Sequence, residues 1–446
     1  MKKLWILILI LIAGAIGFVY FSPSFEKVPP KIEVLTNGYT NLKKPIHIIL
    51  QDKSGIRSYS VVVKADNFEK VIAQSANPDL GKKVDVYVKI PQLINSNQVM
   101  LKITAVDKSK WHFFKGNKTY KTVILKVDKV SPETEIINNS RSIGRGGSAV
   151  AIVKVTDKNL KNKYILVDNK YKFKLTPFVK NGYYIALIAW PYNEDKFDAE
   201  LIATDEAGNK TDQHIPYFWK TKGIYKLKNK KLKISDAFIQ NVAKRVLTKS
   251  GMQVPSNPVE IFKEENEVLR KINEKLLSKL TSNIYENKVN SFYIRRFDPL
   301  PGSAKEAGFM ELRHYFYKGK QISTAIHKGM DLAKIRHAKV YANNPGTVVA
   351  ERYIGIYGNT MVVYHKLGLY TTYSHLSQFI AQKGSKVYKG EVIARTGATG
   401  GVFGDHLHFG VYVQGIPVQP REWMDNGWIR TFILNIIKQA KRTINQ

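Results

Sequence analysis

Three observations predict a mostly β chain: a weak internal repeat at an offset of about 100 residues, a change to helical periodicity near residue 221, and a glycine-rich run of short strands from residue 291. The predicted order is two β-sandwich repeats of immunoglobulin-like size over 29–128 and 129–220, a helical connector over 221–290, and an antiparallel β domain over 291–425. An apolar segment over 1–24 precedes these, and an amphipathic helix over 426–446 follows them.

The apolar segment reads MKKLWILILILIAGAIGFVYF. Lys2 and Lys3 stand before an uncharged run from Leu4 to Phe21, which at about 1.5 Å per residue nearly spans a bilayer. This is the pattern of an export signal. Small residues at 13–15 would suit cleavage, but the apolar run continues past them, which favours a retained anchor in the inner membrane. The basic flank then places everything after about Pro23 outside the cytoplasm, in the periplasm of a bacterial envelope.

The chain has no cysteine, which suits a bacterial envelope better than a eukaryotic secreted protein and excludes thiolate-held zinc. Any metal must be held by histidine and carboxylate. Net charge is +34, from 70 Lys+Arg against 36 Asp+Glu. Such a balance commonly signals nucleic-acid binding, but the export signal and the scatter of lysines through every region argue against nucleic acid as a partner. The membrane surface and an anionic wall polymer are the partners that charge and compartment leave.

The repeat pairs LQDKSGIRSYSVVV (50–63) with VTDKNLKNKYILV (155–167), and LKITAVDKSK (101–110) with LIATDEAGNK (201–210). VPPKIEV and VSPETEI open the two units. Short alternating strands broken by Asp, Asn, Gly and Pro turns suit sandwiches, and neither unit carries a catalytic constellation. In the connector, SDAFIQNVAKRVL places Phe238, Ile239, Val242, Val246 and Leu247 on one helical stripe. SNPVEIFKEENEVLRKINEKLLSKL starts with Asn257 as a cap and Pro258 in the first turn, and it predicts a stripe of Ile261, Val268, Leu269, Ile272 and Leu276. The last segment, WIRTFILNIIKQAKRTINQ, either packs on the domain or touches the membrane.

Seven of the ten histidines lie between 314 and 408. In GDHLHFGVYVQG, alternation puts His406, His408, Gly410 and Tyr412 on one face of a strand. The apolar Leu407, Phe409, Val411 and Val413 take the core face, so the histidine face need not be packed. In HKGMDLA, His327 and Asp331 are four apart. On a straight strand they would lie about 13 Å apart, too far for ligand bonds of about 2.0–2.2 Å, so a bend at Gly329 is required to bring them to one ion. A third ligand from His406 or His408 would complete a three-ligand site of the catalytic kind. In YTTYSHLS, Thr371, Tyr373 and His375 share a face, which leaves His375 as an exposed general acid or base.

These residues resemble a known family. His327-x-x-x-Asp331, then YSHLS, then Gly397-x-x-Gly400-x-x-x-Gly404 running into DHLHFG is similar to the lysostaphin/LytM-type zinc metallopeptidases, which cut peptide bonds of bacterial peptidoglycan. The resemblance covers about residues 297–425. It implies His327, Asp331 and His408 as ligands of one zinc ion per chain, and His375 and His406 as the catalytic pair that activates water and stabilises the oxyanion. It further implies peptidoglycan stem peptides as substrate, with a bond between D-alanine and diaminopimelate in a Gram-negative wall, or a glycine bridge as the alternative. Members without the full ligand set act instead as catalytically silent wall-binding activators or scaffolds of another hydrolase; here the set is complete.

Two departures stand out. Asp405 occupies a place where relatives often have proline or a small residue, and it reads as solvated. FMELRHYFYKGK replaces the more usual Phe-Gly-x-Arg, although Arg313 and Tyr317 are retained. Tyr315, Tyr317 and Tyr373 are all candidates for a transition-state hydroxyl. His365, His337 and His314 read as surface residues, the last two in loops, and His47, His112 and His214 as sandwich residues without partners. The connector or segment 291–320 is placed where it could cover the groove.

Overall fold

In the computed structural model, which describes residues 2–446 and side chains from Leu4 onward, strand Gln98–Asp107 shows why the first sandwich was readable. Its alternate residues Val99, Leu101, Ile103 and Ala105 are buried, while Gln98 and Lys102 face water. A three-stranded sheet of Lys31–Leu35, Ile46–Gln51 and Lys83–Val88 supplies one layer. A five-stranded sheet in the order Tyr39–Thr40, Lys118–Val127, Gln98–Asp107, Ile56–Ala65 and Phe68–Ser75 supplies the other. Ile48, Leu50, Val61, Val63, Leu101, Ile103 and Leu125 form a core of the kind two packed inner faces produce. Preceding it, helix Lys2–Phe21 includes an exposed stretch, Leu4–Phe21, with mean hydropathy 2.7, long and apolar enough to cross a membrane. The side chains of Lys2 and Lys3, the basic flank of the sequence argument, lie outside the described residues.

By contacts the chain divides into two compact units. The first runs to Pro132 and takes in Asp157–Lys161 and Thr204–Lys210; the second holds the remainder. Within the first unit the sequence repeat reappears as a side-chain pattern. Glu26, Asp52 and Asp107 converge, and so do Asp128, Asp157 and Asp205. Asn117 Nδ2 donates to Asp107 Oδ2 at 2.7 Å and to the Glu26 carbonyl at 2.9 Å; Asn209 Nδ2 donates to Asp205 Oδ2 at 2.7 Å and to the Asp128 carbonyl at 2.9 Å. His47 has a partner after all, Asp85 at 2.8 Å, and its ring stacks on Tyr87.

Most residues of another pair of four-stranded sheets belong to the second unit. One is ordered Thr176–Pro177, Tyr183–Ala189, Ser148–Thr156, Glu133–Asn139; the other is ordered Tyr171–Lys174, Leu160–Val167, Ala199–Asp205, Lys210–His214. His214 pairs with Asp198 at 2.9 Å. Helix Asn435–Asn445 packs on strands Glu133–Asn139 and Ser148–Thr156, with Ile437, Ala440 and Ile444 buried. Of the two fates open to the last segment, packing on the protein is the one observed.

The large sheet of this unit has eight strands. Its main path runs Ala304–Ala307, Met330–Ala333, Leu407–Val413, Leu369–Ser374, Asn359–Tyr364, Gly346–Tyr353, Lys386–Val387. Leu407–Val413 is central and buried along its whole length, so the expectation that its histidine-bearing face need not be packed is corrected. The covering layer comes from residues 221–290. Strand Lys228–Lys233 pairs in parallel with Glu311–Tyr317, and helices over 236–249 and 258–280 lay Val242, Val246, Phe262, Leu269 and Leu277 on Tyr315, Tyr357, Val362, Tyr370 and Tyr412.

The second helix differs from the predicted stripe. Val268 and Ile272 are exposed, and the buried line is Ile261, Glu265, Leu269, Asn273, Leu277. A π-helical stretch over Glu264–Leu269 is the reason, because a wider turn slows the rotation from the usual 3.6 residues towards every fourth residue.

Candidate metal centre and catalytic cleft

His327 follows strand Lys320–Ile326, and the chain bends at Gly329 before entering Met330–Ala333. Only glycine fits there: a Cβ would lie 2.5 Å from His408 Nε2 and 2.7 Å from the Phe409 carbonyl. The bend lets Asp331 pair with His408 across neighbouring strands. His327 Nε2 lies 3.0 Å from Asp331 Oδ1 and 3.0 Å from His408 Nδ1, and His408 Nδ1 lies 2.8 Å from Asp331 Oδ1. The three donors face one point and could hold a metal ion. Two nitrogens and one carboxylate oxygen are a donor set suited to zinc, and tetrahedral bonds of about 2.0–2.1 Å put neighbouring donors about 3.3 Å apart, close to what is found.

The groups behind the donors fix their orientation. His327 Nδ1 donates to the Gly308 carbonyl at 2.7 Å, so its Nε2 lone pair faces inward. Arg313 Nη2 donates to Asp331 Oδ2 at 3.1 Å, which leaves Oδ1 for the centre. Burial pushes the Asp331 carboxyl up, but the imidazoles of His327 and His408 outweigh it and hold the group well below the ordinary carboxylate range. Burial lowers His408 to about 4, so it is neutral, the form a ligand requires.

His375 and His406 flank this trio. His375 Nδ1 donates to the Thr399 carbonyl at 2.8 Å and His406 Nδ1 to the Gly404 carbonyl at 2.9 Å, so each ring is held through Nδ1 and turns its Nε2 to the cleft. Their ring centroids are 4.8 Å apart, and His406 Nε2 is 3.8 Å from Asp331 Oδ1. The exposed His375 of the sequence argument is corrected, since it is only 6% exposed; burial first, then His406 and His408, keep it well below the usual imidazole value. Its seat is two loops in backbone contact: a Cβ on Gly358 would fall 2.4 Å from Thr399, and one on Gly400 2.4 Å from Gly358 N. Both glycines have positive φ, 64° and 83°.

All five candidate residues therefore line one cleft, together with Arg270, Arg313, Lys328, Ile356, Tyr357, Gly401 and Val402. The tyrosine candidates lie elsewhere. Tyr373 Oη accepts from Thr371 inside the sheet, Tyr317 Oη donates to Asp236, and Tyr315 packs on Phe262. The tyrosine in the cleft is Tyr357, its ring 5.5 Å from His408. Its glycine-flanked setting, GIYGN, was the available signal.

Three further readings change. His365 is 4% exposed rather than superficial, bonded to the Pro345 carbonyl and Thr371 Oγ1, and burial lowers it to about 4. His314 lies in strand Glu311–Tyr317, not a loop. Asp405 is largely enclosed rather than solvated, accepting from His337 N at 3.1 Å.

The profile of Peptidase family M23 matches residues 325–420, which contain all five of these side chains. Residues 325–420 form a Peptidase family M23 domain. Over 94 residues, 21% of this chain and 22% of the relative, the M23 domain is 40% identical to peptidoglycan DD-endopeptidase ShyA of Vibrio cholerae. Over 95 residues, 21% of this chain and 22% of the relative, it is 38% identical to DD-carboxypeptidase/endopeptidase Mpg of Neisseria meningitidis. The chain thus spans about a fifth of the length of these curated relatives. The crystallised catalytic domain of lysostaphin from Staphylococcus simulans aligns over 27% of this chain and 92% of that one, with 23% identity and a TM-score of 0.23.

Proposed function

We propose that this protein is a zinc-dependent endopeptidase that hydrolyses peptide cross-links of peptidoglycan in the bacterial periplasm. The observation that carries the reading is the convergence of His327 Nε2, Asp331 Oδ1 and His408 Nδ1 beside the inward-facing Nε2 atoms of His375 and His406. His327, Asp331 and His408 would hold the zinc, which supplies Lewis acidity to water and to the scissile carbonyl. His406 Nε2 would accept the proton of the attacking water and later deliver it to the leaving amine, while His375, its Nδ1 bonded to the Thr399 carbonyl, stands beside it as the second member of the catalytic pair. Arg313 holds Asp331 in its ligand orientation, and Gly308 does the same for His327.

The Lys2–Phe21 helix anchors the protein in the inner membrane, and the two sandwiches are immunoglobulin-like modules that space or dock the M23 domain. The name of the 40% identical relative, a peptidoglycan DD-endopeptidase, supports a peptidoglycan substrate. The test is digestion of cross-linked muropeptides by purified protein, with zinc content measured in parallel. His406→Ala is expected to retain one zinc and lose about 10²–10⁴-fold in activity, the usual worth of a general base; His408→Ala is expected to lose the zinc as well. Zinc-loaded protein that leaves the cross-links intact and behaves like His408→Ala overturns the reading.

A further inference from the structure

The M23 profile begins at residue 325, yet one wall of the cleft comes from 55 residues earlier, at Arg270. Arg270 directly follows the π-helical stretch Glu264–Leu269, a kind of irregularity that concentrates at functional sites and here turns this helix face towards the cleft. Its guanidinium is held from one side: Nε donates to Asn266 Oδ1 at 3.0 Å and Nη2 to the same oxygen at 2.7 Å. Asn266 is itself fixed, donating to Ser323 Oγ at 2.8 Å. The fork is therefore oriented before any ligand arrives.

The other cations of the cleft are matched. Arg313 pairs with Asp331 at 3.1 Å and Glu311 at 3.6 Å, and Lys328 pairs with Glu274 at 2.6 Å. Among the described residues, Arg270 is the cleft cation whose hydrogen bonds go to a neutral amide, with no carboxylate within ion-pair distance. Glu265, one turn back, is buried behind the cleft wall, where a Cβ on Gly401 would meet its Oε1 at 2.6 Å. Burial raises Glu265 to about 7, so at neutral pH it only partly offsets the arginine. A positioned, incompletely neutralised guanidinium facing a cleft is a receptor for a planar anion.

We propose that Arg270 receives a free substrate carboxylate beside the scissile bond, so that the cleft selects cross-links whose leaving amine carries a neighbouring α-carboxylate over uncharged bridges. This rests on the peptidoglycan endopeptidase reading and deepens it. A bond to the amine of diaminopimelate has such a carboxylate on the carbon bearing the leaving nitrogen; a glycine bridge has none there. Arg270 is thus a specificity residue supplied by the helices that cover the sheet.

The experiment compares two cross-linked muropeptides that differ only in whether that carboxylate is free or amidated, using the full chain loaded with zinc. The wild type is expected to favour the free acid by about 10–100-fold in kcat/KM, the worth of a hydrogen bond between charged groups. Arg270→Gln is expected to bring the ratio near unity, mainly through KM, with zinc content and Tm unchanged, while Arg270→Lys keeps part of the preference. An unchanged ratio in Arg270→Gln overturns the proposal. Calorimetric titration of uncross-linked stem peptides, free and amidated, separates it from the endopeptidase reading. Discrimination in binding without cleavage leaves Arg270 standing and removes the activity, whereas cleavage without discrimination does the reverse. If Arg270→Gln does not fold, equal binding of the two peptides by the wild type still overturns the proposal.

Discussion

Strands Gln98–Asp107 and Leu407–Val413 have comparable apolar alternation but different surroundings. In the first, one face meets the sandwich core and the other is largely open, so alternation in the sequence equals alternation in burial. In the second, helices over 236–280 cover the face that carries His408 and Tyr412, and every residue is buried. The difference teaches that a polar residue on a covered face must find partners, and the partners then fix its protonation state and orientation. His408 and His375 are neutral for that reason, and so is His365.

The largest effect that would sharpen this contrast is on stability at low pH. His365 is pushed to about 4 by burial, against an ordinary value near 6.5, so the unfolded chain takes up its proton first as pH falls. Stability from this residue is present above about pH 6.5 and is lost as pH falls towards 4, by roughly 3 kcal/mol. His365→Gln should flatten the acid limb of a plot of unfolding free energy against pH; an unaltered slope would break the link between coverage and titration.

A smaller effect is expected from Arg313→Gln, which frees Asp331 Oδ2 while leaving the three donors in place. Zinc affinity should fall about 10–100-fold, read by competition with a chelator, because outer groups that orient ligands carry that much. Unchanged affinity would show that the covered sheet orients Asp331 without help. Smallest is Ile103→Val in the first sandwich core, expected to cost about 0.5–1.5 kcal/mol by denaturant unfolding, with cleavage of muropeptides unaltered. A loss of activity there would tie the sandwich core to catalysis.

Much of the cleft was legible because its demands are local. The bend between His327 and Asp331 needs a residue without a Cβ, and Gly329 stands in the sequence where strand spacing required a break. The repeat was legible too, since Asp52 and Asp157, and Asp107 and Asp205, sit in matching turn sequences. Less legible was the helical stripe, where Val268 and Ile272 were expected inside. A π stretch adds a fraction of a residue per turn, and nothing in EENEVL announces it. Arg270 and Tyr357 escaped for a different reason: neither lies in a histidine motif, and their importance is where the covering helices and the Gly355–Tyr357 turn set them down.

By itself the sequence determined the β character of the chain, the repeat, the membrane-length apolar helix and the five histidine and aspartate side chains that meet in one cleft. These depend on residue type and on spacings of a few positions, which backbone geometry converts directly into faces and bends. Only the tertiary structure decided that both faces of the central strand are covered, which histidine nitrogens point inward, and that a cation from residue 270 faces the same cleft. Those outcomes depend on contacts between residues tens of positions apart in the chain, where local periodicity carries no information.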